Sequence, residues 1–371
     1  MPASRVSAAL NNRKCYMKEE EQKTGHNAYI SATKGIIIIL MVIGHSGAPI
    51  QLQNSIYLFH MPCFFLISGY LFKEKYLNDA KQFIYKKVKG LYYPFVKWSL
   101  IFLLLHNIFY HINFYSTQYN VDNYISKVLQ IVTMTGSEQL LGGFWFLKEL
   151  LYASIISFLL FKLLTALNFR LKLSTLVICS LCFMFLAFCQ SIITFKIPTI
   201  GSQTLLATSY FIAGVAFHKF DMLFTDLNKL KIGITLFAVF IISSFFVKGS
   251  INSQGYIIFP YYVVSIIASV SLIYLTKYLE KRTMNALDFV GKKTLYILIF
   301  HFISFKIVSL VYIIINKTPF TELASFPIVE NDNKYLWIIY SIVGVLVPLL
   351  IKLGLDKISS YSDKCFLKCK N

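Results

Sequence analysis

The residues of this chain that are able to do chemistry are ionisable side chains placed inside strongly apolar runs. The clearest case is TKGIIIILMVIGHSGAPI at residues 33–50, which contains Lys34 and His45. On an α-helix their spacing of eleven residues returns the two side chains to within roughly 20° of one face, about 16 Å apart along the axis. Histidine titrates near neutral pH and suits general base catalysis, whereas lysine supplies a positive charge.

Both residues also have a purely structural interpretation. Lys34 alone is typical of a lysine that reaches from a membrane span to the interface, and His45 of a histidine that hydrogen-bonds another helix. The small residues Gly44, Ser46 and Gly47 permit close helix contact, but they also leave room for a ligand beside the imidazole ring. At this level both interpretations stay open.

Three further segments place polar or aromatic side chains in apolar surroundings. They hold His60 in YLFHMPCFFLISGYLF (57–72), Trp145, Lys148 and Glu149 in GGFWFLKELLY (142–152), and His301 in GKKTLYILIFHF (291–302). Neighbouring residues on a helix point about 100° apart, so Lys148 and Glu149 need not pair with each other. Ionisable groups within spans are costly and usually functional. The structural alternatives are histidines that are hydrogen-bonded within the core, and a polar pair, Lys148 and Glu149, that other helices satisfy.

The elements that hold these residues are transmembrane helices. Of the 371 residues, 56% are hydrophobic and 14% are charged, and the mean hydropathy is +0.62. Soluble domains carry about a quarter charged residues. A bilayer crossing takes about 20 apolar residues, and ten runs approach that length: 35–52, 55–72, 91–110, 143–163, 173–193, 203–218, 232–248, 256–276, 294–315 and 335–353. We therefore predict an all-α, polytopic integral membrane protein with about ten transmembrane helices.

The positive charges indicate the orientation. The formal net charge is +19, and the lysines and arginines cluster before the first run, after every second run and in the tail. The other loops are poor in positive charge, since 111–142 contains only Lys127. Basic loops face the cytoplasm, so both termini are predicted to be cytoplasmic in a multi-pass protein of the cell (inner) membrane. Lys34 then lies at the inner interface and His45 near the middle of the bilayer.

The sequence also argues against other functions, and it predicts where the transmembrane domain begins and ends. No nucleic-acid-binding signature accompanies the charge, which argues against such a partner. A CxxC lies at Cys179 and Cys182, but no zinc-like spacing is present, so neither a metal nor a required disulfide is expected. Residues 1–32 are predicted to be a cytoplasmic segment without a signal peptide. Residues 33–355 form the predicted transmembrane domain and 356–371 a basic cytoplasmic tail.

Five segments in order resemble the acyltransferase 3 family of integral membrane proteins, and within it the sugar O-acetyltransferases similar to fucose 4-O-acetylase. The segments are KGIIIILMVIGHS, FHMPCFFLISGYLF, KKVKGLYYPF, FWFL and GKKTLYILIFH, and the likeness extends over about residues 30–353. It implies ten core helices and transfer of an acyl group, usually acetyl from acetyl-CoA, to a sugar hydroxyl of an envelope glycan. The family hallmark is a basic residue followed eleven positions later by a histidine, which matches Lys34 and His45. Many members carry an acid where this chain has Ser31.

The resemblance and the chemistry of the side chains together give a set of expected roles. His45 is expected to take the proton of the sugar hydroxyl as it attacks the thioester, with an acyl-histidine intermediate as a variant. Lys34 is expected to join His45 as a catalytic residue and, together with a basic cluster before the third run, to be available to bind the phosphates of acetyl-CoA. The cluster consists of Lys86, Lys87 and Lys89, which are also explained by the basic-loop pattern alone. His60, Trp145 and His301 are expected to contact the acceptor (an envelope glycan or a lipid-linked sugar) or to form the wall of the cavity. No bound cofactor is expected.

Two other classes of protein also combine about ten spans with buried polar groups. A transporter or exporter of a glycan or lipid-linked sugar often shows inverted repeats and Gly/Pro-broken helices in matching halves, which this sequence lacks. A glycosyltransferase with a lipid-linked donor typically needs acidic residues in an external loop, and the first such loop, 48–54, holds none. A membrane acyltransferase is therefore the preferred interpretation.

Overall fold

The computed structural model describes residues 27–193 and 199–368, with the side chains of the last helix described as far as residue 358. The regular elements in these ranges are helical. Fifteen α-helices follow one another there: α1 Ala28–His45, α2 Ile50–Tyr57, α3 His60–Tyr70, α4 Ala80–Lys87, α5 Tyr93–Leu104, α6 His106–His111, α7 Val121–Val132, α8 Trp145–Ala166, α9 Leu173–Ile192, α10 Ser202–Leu223, α11 Lys229–Phe246, α12 Ile258–Thr276, α13 Lys281–Gly291, α14 Thr294–Asn316 and α15 Leu336–Lys368. Short 3₁₀ or π turns occupy Glu74–Leu77, Val88–Tyr92, Gln139–Leu141, Gly255–Ile257 and Phe320–Ala324.

Seven helices in the described ranges are long and apolar enough to cross a bilayer. They are α1, α8, α9, α11, α12 with the turn before it (Gly255–Thr276), α14, and α15 as far as Ile358. Each has at least 18 residues, close to the length that the hydrocarbon core requires. The protein is therefore a polytopic membrane protein, and its regular elements are helical over residues 27–193 and 199–368.

Three of the ten predicted runs form different structures. The run 55–72 is divided between α2 and α3, because the chain breaks before His60 and Pro62 occupies the first turn of α3, where a missing N–H is tolerated. The run 91–110 is divided at Leu105. The run 203–218 extends to the 22 residues of α10, of which more than half are buried. A helix enclosed by protein does not need an apolar outer face, which explains its Ser and Thr content.

The bounds predicted for the first span, 35–52, were wrong. The helix begins seven residues earlier, at Ala28, and ends at His45. Gly47 adopts a left-handed conformation with φ +79°, and Pro49 then precedes α2. His45 is therefore the last residue of α1 rather than a residue half-way along a span, and Lys34 lies well inside the helix rather than at its edge.

The beginning of α1 lies directly against α13. A Cβ added at Gly35 would collide with the Leu287 carbonyl oxygen, and one at Gly291 would collide with the Ser31 carbonyl oxygen. The Ser31 hydroxyl donates a hydrogen bond to the Asp288 carbonyl oxygen at 3.4 Å. Ser31 thus occupies a contact between two backbones, where a longer acidic side chain would be crowded.

Helix ends next to the basic loops are held together by Asp221. Its carboxylate accepts hydrogen bonds from Tyr70 (2.9 Å) and Lys277 (3.2 Å), and also from Lys229. Tyr70 in turn bonds the hydroxyl of Tyr29 at 3.1 Å. This network joins the first turn of α1, the last turn of α3 and the ends of α10, α11 and α12. We call this side of the molecule the basic face, and α1 runs from it to the opposite face.

Candidate active site

A cavity of about 380 Å³ follows α1 from Lys34 to His45. Its size is within the range of small-molecule sites. Residues from six separate parts of the chain line it: Lys34, Ile38, Met41 and His45 from α1; Tyr57, His60, Met61, Phe64 and Ser68 around α3; Gly90 and Leu91; Gly143, Trp145, Phe146, Leu147 and Leu150 around α8; Ser250 to Asn252; and Thr294, Leu295 and Leu298 from α14. The two residues singled out by their spacing thus mark the two ends of one cavity.

The His45 ring is held between other aromatic rings. Its centroid lies 5.6 Å from that of His301, which is stacked at 24°, 5.1 Å from Phe302 and 6.4 Å from Tyr57. Its Nδ1 is buried and, within the described ranges, has no hydrogen-bond partner. Buried polar atoms are normally satisfied. An imidazole fixed in orientation beside a cavity, with no hydrogen bond that ties its Nδ1 to the protein, is suited to act as a base.

The other two predicted histidines have their tautomers set by the helix backbone. Nδ1 of His60 lies 2.8 Å from the Ile56 carbonyl oxygen, and Nδ1 of His301 lies 3.0 Å from that of Ile297. A carbonyl oxygen only accepts, so Nδ1 carries the proton and Nε2 holds the lone pair in each neutral ring. His60 lines the cavity, whereas His301 is fully buried behind His45. The structure therefore places His301 as a support for the His45 ring rather than as cavity lining.

Tyr57 belongs to the site, although sequence reasoning did not select it. Its hydroxyl donates a 2.6 Å hydrogen bond to the Gly44 carbonyl oxygen, and its ring lies 5.4 Å from that of His60. A Cβ at Gly44 would lie 2.9 Å from the Tyr57 ring, so glycine is needed for this contact. A signal was available in the sequence, since a glycine immediately before His45 indicates that something packs closely there.

Lys34 lines the other end of the cavity, and Lys87, which is not among the lining residues, lies close enough for the two charges to interact. The pKa of Lys87 is lowered to about 8, first by burial and then by the positive charge of Lys34. In the described ranges neither lysine has an acidic partner within ion-pair distance. Other basic-face lysines are paired, for example Lys229 and Lys277 with Asp221. The two lysines form an uncompensated cationic site.

Lys86 and Lys89, which were grouped with Lys87, lie elsewhere. Lys86 is exposed and donates a 3.0 Å hydrogen bond to the Tyr76 hydroxyl. Lys89 is exposed, 5.7 Å from the Tyr85 ring centroid. Lys87, by contrast, is half-buried and faces the rings of Phe83 and Phe211 at 5.4 and 5.5 Å. The structure thus separates Lys87 from its two neighbours.

The residues at the start of α8 divide into two groups. Trp145, the first residue of the helix, lines the cavity and is half-buried. Lys148 and Glu149 pair with each other at 3.3 Å, and neither is among the lining residues. The sequence did not require this pairing of adjacent residues. It accounts for one carboxylate oxygen of Glu149, while the other is buried without a partner in the described ranges.

Two further buried polar groups were not selected from the sequence. Lys306, only 1% exposed, donates hydrogen bonds of 2.7 Å to the carbonyl oxygens of Leu323 and Ser325. His106 lies 2.7 Å from a carboxylate oxygen of Glu138. Neither group lines the cavity. Both hold loops on the opposite face, and such loop contacts leave no periodic trace in the sequence.

Comparison with known proteins gives one family. A family profile described as an acyltransferase domain, acyltransferase 3, matches residues 27–353, a range that contains the whole cavity. Two curated relatives are similar over part of their length. The nodulation protein NolL of Mesorhizobium japonicum is 30% identical over 148 residues, which cover 36% of this chain and 35% of the relative. NolL of Sinorhizobium fredii is 31% identical over 152 residues, which cover 38% of this chain and 37% of the relative. The matches therefore span little more than a third of each relative, and no solved structure matches the chain.

Proposed function

The chain belongs to the acyltransferase 3 family, and from this premise we propose that it transfers an acyl group, acetyl in the first instance, from acetyl-CoA to a hydroxyl of a cell-envelope carbohydrate. The observation that carries the proposal is the cavity with a cationic site at Lys34 and an unpaired imidazole at His45. We assign the basic face to the cytoplasm, with both chain termini, and the opposite face to the outside of the cell (inner) membrane. The donor then enters beside Lys34, and the acceptor approaches from the side of His45.

The cationic site suits the phosphates of the acyl donor. Two lysines that repel each other and lack an acidic partner are stabilised when an anion binds between them. Lys34 and His45 are separated by about 16 Å of helix, a length that the extended pantetheine arm of coenzyme A covers. The phosphates therefore stay near Lys34 and Lys87, and the thioester reaches the His45 end of the cavity.

The imidazole of His45 supplies the base that an alcohol nucleophile needs. His45 takes the proton of the sugar hydroxyl while the hydroxyl oxygen bonds to the thioester carbonyl carbon. The tetrahedral intermediate then collapses, the carbon–sulfur bond breaks, and the imidazolium returns the proton to the departing sulfur. The stacked ring of His301 and the ring of Phe302 hold the imidazole during both transfers. An acyl-histidine intermediate is the variant of this scheme.

The remaining cavity residues are suited to hold the acceptor. The Trp145 ring offers an apolar face on which a sugar can stack. Nε2 of His60 has its lone pair available to accept a hydroxyl hydrogen bond, because Nδ1 carries the proton. Asn252 lies at the same end of the cavity as His45, in the loop between α11 and α12.

The function is tested with purified protein and acetyl-CoA labelled in its acetyl group. We expect release of free coenzyme A thiol together with movement of label into carbohydrate extracted from the cell envelope. A transporter or exporter would instead move labelled sugar across proteoliposomes and leave the thioester intact. A folded protein that cleaves no thioester, with or without carbohydrate, would contradict the proposed activity.

The donor site makes the binding of acetyl-CoA depend on pH. Burial and the charge of Lys34 lower the pKa of Lys87 to about 8, so Lys87 is charged at pH 7 and loses its proton as the pH rises through 8. We expect the KM for acetyl-CoA to rise by up to about tenfold between pH 7 and pH 9. In Lys87→Arg the KM is expected to stay flat, because a guanidinium remains charged. A rise of the same size in Lys87→Arg would exclude Lys87 as the titrating group.

A further inference from the structure

A second cavity, of about 830 Å³, opens on the face opposite the basic loops. We call it the Trp337 groove, and its lining consists of Ser46, Gly47 and Pro49, the segment Phe326 to Lys334, and Trp337. The turn that forms one wall follows His45 directly. The segment that forms the other wall joins α14 to α15. No step of the acyl transfer described above uses this groove.

The lining of the groove combines an aromatic ring with planar hydrogen-bonding groups. Trp337 lies among Asn331, Asn333, Glu330 and Asp332. A few placed polar groups beside an aromatic face are the usual composition of a small-molecule site. Carboxylates and amides bond hydroxyl groups, and an indole ring covers the apolar face of a sugar. The composition is that of a carbohydrate site.

The side-chain amides of Asn331 and Asn333 are each fixed by a hydrogen bond to the backbone, and each has one further polar atom available to a ligand. Nδ2 of Asn331 donates to the Val329 carbonyl oxygen at 3.0 Å, so its Oδ1 is available to accept. Oδ1 of Asn333 accepts from the Tyr335 N–H at 2.9 Å, so its Nδ2 is available to donate. A donor and an acceptor held in this way are prepared for a hydroxyl pair without loss of side-chain freedom on binding.

The segment that carries these groups is anchored below by Lys306. The buried ammonium of Lys306 bonds the carbonyl oxygens of Leu323 and Ser325 at 2.7 Å, immediately before the segment begins. A buried charge is tolerated only when it is hydrogen-bonded. Lys306 therefore fixes the path of the chain at the base of the groove.

Only a thin aromatic layer separates the groove from His45. The Phe326 ring lies 4.6 Å from the ring of Phe302, and the Phe302 ring lies 5.1 Å from that of His45. Phe326 itself is 36% exposed. A carbohydrate chain seated in the groove is thus next to the end of the active-site cavity at which the acceptor hydroxyl is required.

We propose that the Trp337 groove binds a neutral or amino sugar unit of the acceptor carbohydrate, an inference that rests on the proposed function. The charges select against acidic sugars, since Glu330 and Asp332 outnumber the single cation Lys334. A uronate or a phosphorylated unit would meet like charge. Neutral and cationic units bind on the outer side while the donor occupies the separate cavity.

The test measures binding of three tetrasaccharide probes to the purified full-length protein by titration calorimetry. The probes are the tetramer of N-acetylglucosamine (neutral), the tetramer of glucosamine (cationic) and the tetramer of galacturonic acid (anionic). We expect the first two to bind and the third not to bind. Trp337→Ala should raise both dissociation constants by roughly tenfold, and Asp332→Asn should allow the anionic probe to bind.

Matched controls are available in exposed residues that do not line the groove. Tyr335→Ala removes a neighbouring aromatic ring, and Asp122→Asn removes a carboxylate from the first turn of α7. Both should bind the neutral and cationic probes with wild-type affinity and, like the wild type, should not bind the anionic probe. Binding of the anionic probe by the wild type, absence of binding by the other two, or an unchanged affinity in Trp337→Ala would overturn the proposal.

Failure of this inference is distinguishable from failure of the proposed function. Thioester cleavage of acetyl-CoA without carbohydrate does not require the groove, so Trp337→Ala and Asp332→Asn should retain the wild-type rate of cleavage. If the wild type cleaves acetyl-CoA but binds neither the neutral nor the cationic probe, the groove proposal alone is wrong. If it binds these probes but cleaves no thioester, the acyl transfer is wrong and the sugar site stands.

Discussion

His45→Ala is expected to lower kcat for acyl transfer by about 10²- to 10⁴-fold, the usual contribution of a general base. The KM for acetyl-CoA should stay within about twofold of the wild-type value, because the donor phosphates are held near Lys34, about 16 Å along the helix from His45. His45 ends α1 and its Nδ1 has no partner in the described ranges. Removal of the ring therefore breaks no hydrogen bond made by Nδ1.

The measurement is the release of coenzyme A thiol and the transfer of labelled acetyl, made at several donor concentrations. His111→Ala is the matched control, because His111 is an exposed histidine at the end of α6, and its activity should be that of the wild type. Size-exclusion profiles and helix content establish that both variants fold. Transfer by folded His45→Ala within tenfold of the wild-type kcat would remove His45 from the chemistry.

Much of the candidate site was predictable because helical spacing is a local property. The spacing of eleven positions from Lys34 to His45 places both on one face whichever helices surround α1, and both line the cavity. His60 and Trp145 were selected as polar or aromatic residues in apolar runs, and they line it too. Their chemical roles, and those of Lys34 and His45, stay predictions.

Contacts between distant parts of the chain were not predictable in the same way. His45 meets Phe302, and Lys34 acts on Lys87, through packing that no local pattern encodes. From the sequence, Lys86, Lys87 and Lys89 were predicted to act as one cluster. On α4 and the π turn after it, however, successive side chains point in different directions, so only Lys87 faces the charge of Lys34.

The number of transmembrane spans could not be predicted from the sequence for the same reason. Apolar length identifies a run that is able to cross the bilayer, but it does not reveal a break inside the run. The interruption before His60 depends on a turn close to Pro62, and the end of α1 depends on the left-handed Gly47. The burial of α10 depends on its neighbours, since Gly69 of α3 meets the backbone of α10 so closely that a Cβ would collide with the Phe211 carbonyl oxygen.

The charge of Lys34 is the second feature with a large expected effect. Lys34→Ala should raise the KM for acetyl-CoA by about 10- to 100-fold, equivalent to the 1.5–3 kcal/mol of a hydrogen bond to a charged group, with kcat nearly unchanged. Lys34→Arg should retain most of the affinity, since the positive charge is preserved. If Lys34 were only an interfacial anchor, neither variant would change the KM.

The matched control for this charge is Lys86→Ala. Lys86 is exposed and bonded to the Tyr76 hydroxyl, so its loss should leave the KM for acetyl-CoA unaltered. Salt supplies a second check, because an ionic contact with phosphate weakens as ionic strength rises. The wild-type KM should therefore increase with salt more steeply than that of Lys34→Ala. Equal salt dependence in the two proteins would show that Lys34 does not contact the donor, and the cationic site would then be reduced to Lys87.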